Sequence, residues 1–172
     1  MSRNVNDIKG KVPKIWEIVS SPKGEINSNY GYLINHKDNY YQYKNVLETL
    51  KKDPNSRRAI MIYTNPKMHT QFKRKGMTDF VCTNTVQYVI RKNKLSAIVQ
   101  MRSNDAWAGY RNDYAWQKYV LNKLAKDLNC KEGNIHWNAG SLHVYENQFY
   151  LLDHYLKTGE HEITKKQYNN NL

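Results

Sequence analysis

The stretch MRSNDAWAGYRNDYAWQKYVLNKLA, residues 101 to 125, gathers Arg102, Ser103, Asp105, Arg111 and Asp113 with Trp107, Tyr110 and Tyr114 between them. Guanidinium forks beside a hydroxyl suit a phosphate monoester, because bidentate charge-assisted bonds match its oxygens. Arg57 and Arg58, after a turn, and Arg102 with Ser103, at a strand end, are candidates for that task; ordinary surface charge is the competing reading. Cys82 stands among Thr83, Asn84, Thr85 and Gln87. A thiolate there would be a nucleophile if Arg102 on a neighbouring strand lowered its pKa, whereas most free cysteines are small core residues. Cys130 reads as the latter. Asp113 reads as a ligand or as the N-cap of the helix it precedes. His143 and Tyr145, two apart on a strand, share a face and would hold a sugar hydroxyl or form a core pair.

Other chemistries find no pattern. The six histidines make no HExxH and no zinc-type Cys/His spacing, and neither a GxxxxGK[ST] phosphate loop nor a GxGxxG is present, so no metal is expected.

These residues need elements to hold them. Apolar spacing at Tyr43, Val46, Leu47 and Leu50 predicts an amphipathic helix between Asp38 and Lys52. The turn DPNS (53–56) ends it, and 57–64 reads as a buried strand. Residues 79–91 and 95–102 form a hairpin across a tight polar turn. In the first strand Phe80, Cys82, Asn84, Val86, Tyr88 and Ile90 share a face; in the second Leu95, Ala97, Val99 and Met101 do. A second helix runs from about Asp113 through Val120, Leu121, Leu124 and Leu128. A strand over 134–145 and a helix around NQFYLLDHYLK complete an α+β class, one mixed sheet with packed helices.

The chain has 172 residues, which fits a single domain spanning 1–172 with a sizeable core. Lysine and arginine exceed acids by 27 − 15 = 12, implying an anionic partner, nucleic acid or nucleotide. No recognised nucleic-acid motif accompanies the charge, so dedicated nucleic-acid binding is not expected. No apolar run approaches a membrane span, the N-terminus lacks the apolar stretch of a signal peptide, and two cysteines make no disulfide framework. A cytoplasmic setting is expected.

In order, SRRAIMIYT, DFVCTNTVQY, MRSNDAWAGYRNDYA and GSLHVY resemble the thymidylate synthase superfamily. The phage deoxycytidylate hydroxymethylase branch is the closer match through PKIW, SSPKGEINSNYG, CTNTVQY, RSND and YRNDYAWQKYVL. The resemblance spans roughly residues 13 to 165 and implies a thymidylate synthase-like fold. It also implies that Cys82 adds to C6 of a pyrimidine, and that Arg102 and Ser103 bind the phosphate. Arg57 and Arg58 would reach the phosphate of a partner subunit's site, hence a homodimer. His143 and Tyr145 would hold the 3′-hydroxyl, Trp16 and Asp105 would meet the folate co-substrate methylenetetrahydrofolate, and Tyr30 would stand near the proton-removal step.

Synthases acting on dUMP carry asparagine where this chain has Asp113. Cytosine inverts the hydrogen-bonding edge of uracil, and a protonated Asp113 donates to N3 while accepting from the N4 amine. The alternative is a carboxylate paired with an N3-protonated ring; burial favours the neutral acid. The implied reaction is hydroxymethylation of dCMP. A dUMP-directed enzyme and a catalytically incompetent nucleotide-binding homologue are the competing readings. Two departures matter: Thr83 replaces the histidine that follows the nucleophile in synthases, and the family's segment ahead of the counterpart of Pro13, with a phosphate arginine and a catalytic glutamate, has no match here. Weak turnover by these 172 residues alone is the expectation that follows.

Overall fold

Alternating burial in four strands dictates the centre of the molecule. The computed structural model describes residues 2–7, 12–73 and 76–170. Strands β1 (Ile60–Ile62), β2 (Thr83–Arg91), β3 (Lys94–Met101) and β5 (Lys131–Ala139) form one sheet in the order β1-β2-β3-β5. The first two pairings are antiparallel and β3 pairs β5 in parallel, so the sheet is mixed as expected. A parallel pair needs a long crossover. It is provided by α5 (Gly109–Asp127), 19 residues and about 28 Å long, which buries Val120, Leu121, Leu124 and Ala125. The turn between β2 and β3 has Lys92 and Asn93 both at positive φ, 50° and 58°, the twist that lets a two-residue hairpin close.

Leu95, Ala97, Val99 and Met101 are buried together against Met61, Val86 and Tyr88. Helix α3 (Gln42–Lys52) adds Tyr43, Val46 and Leu50 to this core. Lys51 and Lys52 sit in its last turn, where positive charge suits the helix dipole. Shorter helices α1 (Lys14–Val19), α2 (Tyr30–Asn35), α4 (Met68–Gln71), α6 (Phe149–Thr158) and α7 (Lys165–Asn170) complete the helices, and the two-residue strands β4 (Asn104–Asp105) and β6 (Leu142–His143) pair in parallel.

Four expectations need correction. The strand over 57–64 shrinks to 60–62 and is not fully buried: it lies at the sheet edge, where Ala59, Met61 and Tyr63 point inward while Ile60 and Ile62 remain 39% and 52% exposed. The strand over 79–91 does not keep one face. Its regular pairing starts at Thr83, and a register shift between Thr83 and Thr85 changes the inward set from Val81 and Thr83 to Val86 and Tyr88. The helix expected from Asp113 starts at Gly109, because Asp105 accepts from the backbone N–H groups of Trp107 and Ala108 and stops the preceding chain there. Asp113 is therefore inside the helix and is not its N-cap. Finally, 134–145 is two strands, broken after Ala139.

A second irregularity, between Leu95 and Ala97 against β5, brings Gly133 close to β3. A Cβ there would stand 2.4 Å from Ser96 Oγ and 2.7 Å from Leu95 O, so only glycine fits.

The segment before α2 is tied to the segment before β2 by one buried carboxylate. Asp79 accepts from the backbone N–H of Asn27 and Ser28 at 2.7 and 2.6 Å and from the Ser28 hydroxyl at 2.6 Å. Asn27 returns a bond to the Asp79 carbonyl at 2.9 Å. Asn29 then caps α2 by accepting from Tyr32 N–H. Removing the carboxylate strands buried donors, at about 1–3 kcal/mol each. Asp79→Ala should therefore lower the unfolding free energy by about 3 kcal/mol or more, with Asp79→Asn intermediate, read by urea denaturation; a loss below about 1 kcal/mol would show that the clamp is dispensable.

Candidate active site

The site assembles where α2 begins, β2 begins and β3 ends. Cys82 is half-buried just ahead of the regular part of β2, and Arg102 follows β3. Arg102 N–H donates to the Cys82 carbonyl at 2.9 Å, which locks the two backbones together. Its side chain wraps the same segment: Nε donates to Val81 O at 2.9 Å, Nη2 donates to Phe80 O at 2.8 Å, and the guanidinium stacks on the Phe80 ring at 4.9 Å. Nη2 also lies 3.7 Å from Cys82 Sγ. Burial pushes the Cys82 thiol above its ordinary value; Arg102 pulls it down, and Asp113 and Asp79 push it up again. Arg102 is thus an opposing influence on the thiol, and the expectation that it leaves a low-pKa thiolate is corrected: desolvation wins.

Asp113 points back from the second turn of α5. Asn104, fully buried, donates its amide to Asp113 Oδ2 at 3.1 Å and receives Trp137 Nε1–H on its own oxygen at 3.1 Å. Burial raises the Asp113 carboxyl to about 6, with the Tyr30 hydroxyl pulling the other way. Tyr30 opens α2, and its ring meets Tyr63 edge-on at 5.0 Å. Burial first and the Asp113 charge second push its phenol well above the usual range, so Tyr30 keeps its proton.

The paired strands β4 and β6 bring the distant C-terminal residues to this corner. Asp105 is in register with His143, and Ala106 N–H donates to the His143 carbonyl at 2.8 Å. His143 Nδ1 lies 3.2 Å from Ser141 Oγ, and its ring meets Tyr145 edge-on at 5.0 Å. His143 is half-buried and Tyr145 exposed, an aromatic pair open to a ligand and not enclosed in the core. Ser103, between Arg102 and the β4 strand, is half-buried.

Arg57 and Arg58 stand apart. Both are exposed on the loop before β1, where the neighbouring Ala59 accepts from Tyr88 N–H. Six residues along β2 separate that point from Cys82, about 20 Å at 3.3 Å per residue, well beyond an arginine's reach. Trp16 is half-buried on α1, which reaches this region through Thr78 N–H donating to Val19 O at 2.9 Å. Asp105 presents a half-buried carboxylate whose Oδ1 is engaged by Trp107 and Ala108; among the described residues no donor reaches Oδ2.

Sequence reasoning passed over three residues. Asn104 lies inside the quoted RSND stretch, but nothing local signals that its amide bridges Trp137 and Asp113. Thr83 registers only as a departure from the family pattern, yet it is completely buried and bonded to Tyr30. Asp79 reads as an ordinary strand-start residue. Among the described residues no three His, Cys, Asp or Glu side chains group as a metal site, and no helix is long and apolar enough to cross a membrane.

Comparison with known proteins adds the lineage. A family model described as thymidylate synthase matches residues 1–171. The deoxycytidylate 5-hydroxymethyltransferase of Enterobacteria phage T4 is 58% identical over 171 residues, covering 95% of this chain and 70% of that protein. A thymidylate synthase of Francisella tularensis subsp. holarctica is 26% identical over 156 residues, covering 85% of this chain and 57% of that protein. Among solved structures, the thermostable thymidylate synthase A from Bacillus subtilis superposes with a TM-score of 0.72 at 26% identity, over 88% of this chain and 55% of that one. With a matched model over nearly its whole length, a phage relative sharing more than half its residues, and the fold to go with them, the chain belongs to the thymidylate synthase family.

Proposed function

We propose that this protein is a deoxycytidylate 5-hydroxymethyltransferase, converting dCMP, methylenetetrahydrofolate and water into 5-hydroxymethyl-dCMP and tetrahydrofolate. The observation that carries the reading is Asp113, a carboxyl raised by burial to about 6 and fixed by Asn104 at the base end of the loop that Arg102 begins. Cytosine presents N3 as an acceptor and N4 as a donor. A carboxylic acid answers both at once; an ionised carboxylate would face the N3 lone pair.

Each residue then has a task. Arg102 and Ser103 grip the phosphate, and His143 and Tyr145 hold the deoxyribose hydroxyl. The Cys82 thiolate adds to C6 as Asp113 delivers a proton toward N3, which makes C5 nucleophilic. Methylenetetrahydrofolate, when bound near Trp16 and Asp105, supplies the one-carbon unit. Tyr30, which keeps its own proton, orients Asp113; the C5 proton passes to solvent as the bond from the one-carbon unit to the folate nitrogen breaks, releasing tetrahydrofolate. Water adds to the resulting exocyclic methylene of the pyrimidine, the C6–S bond breaks, and Cys82 returns as thiol. The energetic demand falls on Cys82: its thiol is raised by desolvation, so the adduct must form as substrate displaces water and the base accepts a proton.

The protein works as a homodimer in this reading. Arg57 and Arg58 are too far along β2 to serve their own Cys82, and the outer sheet face leaves Ile60 and Ile62 uncovered beside them. A second copy lying on that face brings its arginines to the neighbouring phosphate.

Three measurements test these assignments. Cys82→Ala should abolish formation of 5-hydroxymethyl-dCMP, read by mass spectrometry, and keep dCMP affinity within a few fold, because phosphate and sugar contacts dominate ground-state binding; equal losses in Cys82→Ala and Cys130→Ala would exclude Cys82 as nucleophile. Mixing Cys82→Ala subunits with Arg57→Ala/Arg58→Ala subunits should restore activity through the one intact site of each hybrid, and continued inactivity after demonstrated subunit exchange would refute the shared site. Asp113→Asn should lower kcat for dCMP and shift the dCMP to dUMP preference in kcat/KM by about 10- to 100-fold, corresponding to roughly 1–3 kcal/mol for one inverted hydrogen-bond edge; an unchanged ratio would remove Asp113 from substrate choice.

A further inference from the structure

The register shift at the start of β2 turns Thr83 into the protein interior, one residue past Cys82, where it is completely buried. Both of its donors reach the same atom. Its backbone N–H lies 3.3 Å and its hydroxyl 3.0 Å from Tyr30 Oη. A phenolic oxygen has two lone pairs and one proton. With both lone pairs filled by Thr83, the Tyr30 hydroxyl is left as a donor only; its ring meets Trp116, one turn along α5 from Asp113, at 6.3 Å, and Asp113 is the carboxyl on that side whose proton release it favours.

We propose that Thr83 is a positioning residue for the reaction: by occupying both acceptor sites of the Tyr30 hydroxyl, it aims that hydroxyl's proton at Asp113 and so governs how readily Asp113 releases its own. The inference rests on Asp113 as the proton donor to the cytosine ring. The covalent path makes it specific. Thr83 is adjacent to the nucleophile, so one short segment of backbone sets both the sulfur's position and the polarity of the acid opposite it.

The same heavy-atom distances admit the reverse polarity, with Tyr30 donating to Thr83 Oγ1 and nothing left for Asp113. The two polarities predict opposite signs. If Thr83 donates, deleting its hydroxyl frees Tyr30 to turn away, and the Asp113 carboxylate loses a hydrogen bond that stabilised it. If Thr83 accepts, the same deletion releases the Tyr30 proton toward Asp113 and stabilises the carboxylate. Among the described residues, the ionisable groups placed near Asp113 include the Cys82 thiol, with Arg102 against it, and Asp105 of β4, and none of them changes in the variants below.

The test is a carbon-13 NMR titration of the Asp113 carboxyl in the substrate-free protein. Thr83→Val and Thr83→Ala should raise its midpoint by about half to one pH unit, roughly a three- to tenfold change in proton affinity. Thr83→Ser, which keeps the hydroxyl, should titrate like the parent. In a Tyr30→Phe background Thr83→Val should add nothing, since the oxygen through which it acts is gone. A lowered or unmoved midpoint in both hydroxyl deletions, or a further shift without the Tyr30 hydroxyl, would overturn the assignment. Should the valine fail to pack, the alanine variant decides alone. The titration needs no substrate: its failure removes Thr83 as a positioning residue, whereas failure to convert dCMP removes the functional reading and leaves the titration intact.

Discussion

One buried carboxyl side chain, Asp79, fixes the geometry on which the site depends. Its carboxyl oxygens draw the Asn27–Ser28 backbone onto the segment that carries Cys82 into β2, with three donors at 2.6 to 2.7 Å. Without that clamp, nothing in the local sequence would bring the start of α2 to the start of β2. Tyr30 follows two residues after Ser28, and Cys82 three after Asp79, so a few bonds set the distance between phenol and thiol. Charge-assisted hydrogen bonds are the right instrument for this, being both short and directional.

The second constraint is desolvation. Burial raises the Cys82 thiol, the Asp113 carboxyl and the Tyr30 phenol together. Each is held in its neutral form more firmly than in water, and the Asp113 charge adds to the cost of ionising both Cys82 and Tyr30. Such a corner does not store a preformed thiolate. It holds neutral acids with Arg102 as the nearby fixed cation. In the proposed reaction, such a corner delivers a proton at Asp113 and removes one at Cys82 once substrate displaces solvent.

How far the sequence reveals this depends on whether a feature is local. The β2–β3 hairpin, with Lys92 and Asn93 at its turn, and the Leu95 to Met101 alternation are local patterns and are plainly legible. So is α3, from its apolar spacing. The site is legible through the family resemblance, which reaches Cys82, Arg102 and Asp113 by motif. What is hidden is relational. The start of α5 depends on Asp105 catching two N–H groups, which moves Asp113 from cap to interior. Asn104 matters only because Trp137, from a strand 33 residues later in the chain, holds its oxygen. The edge position of Ile60–Ile62 depends on strand order, and no propensity encodes that.

The register shift at Thr83 and Thr85 bears on how such a protein can change over generations. Ahead of it the inward positions are odd-numbered, beyond it even-numbered. Loss or gain of one residue there would rotate every downstream side chain of β2 to the opposite face, exposing Val86 and Tyr88 to solvent. Substitution at Thr83, by contrast, leaves the alternation untouched. Diversification of chemistry beside Cys82 is thereby channelled into replacements at fixed length, and insertions or deletions in this segment are removed by loss of the fold before their effect on the chemistry is ever exposed to selection.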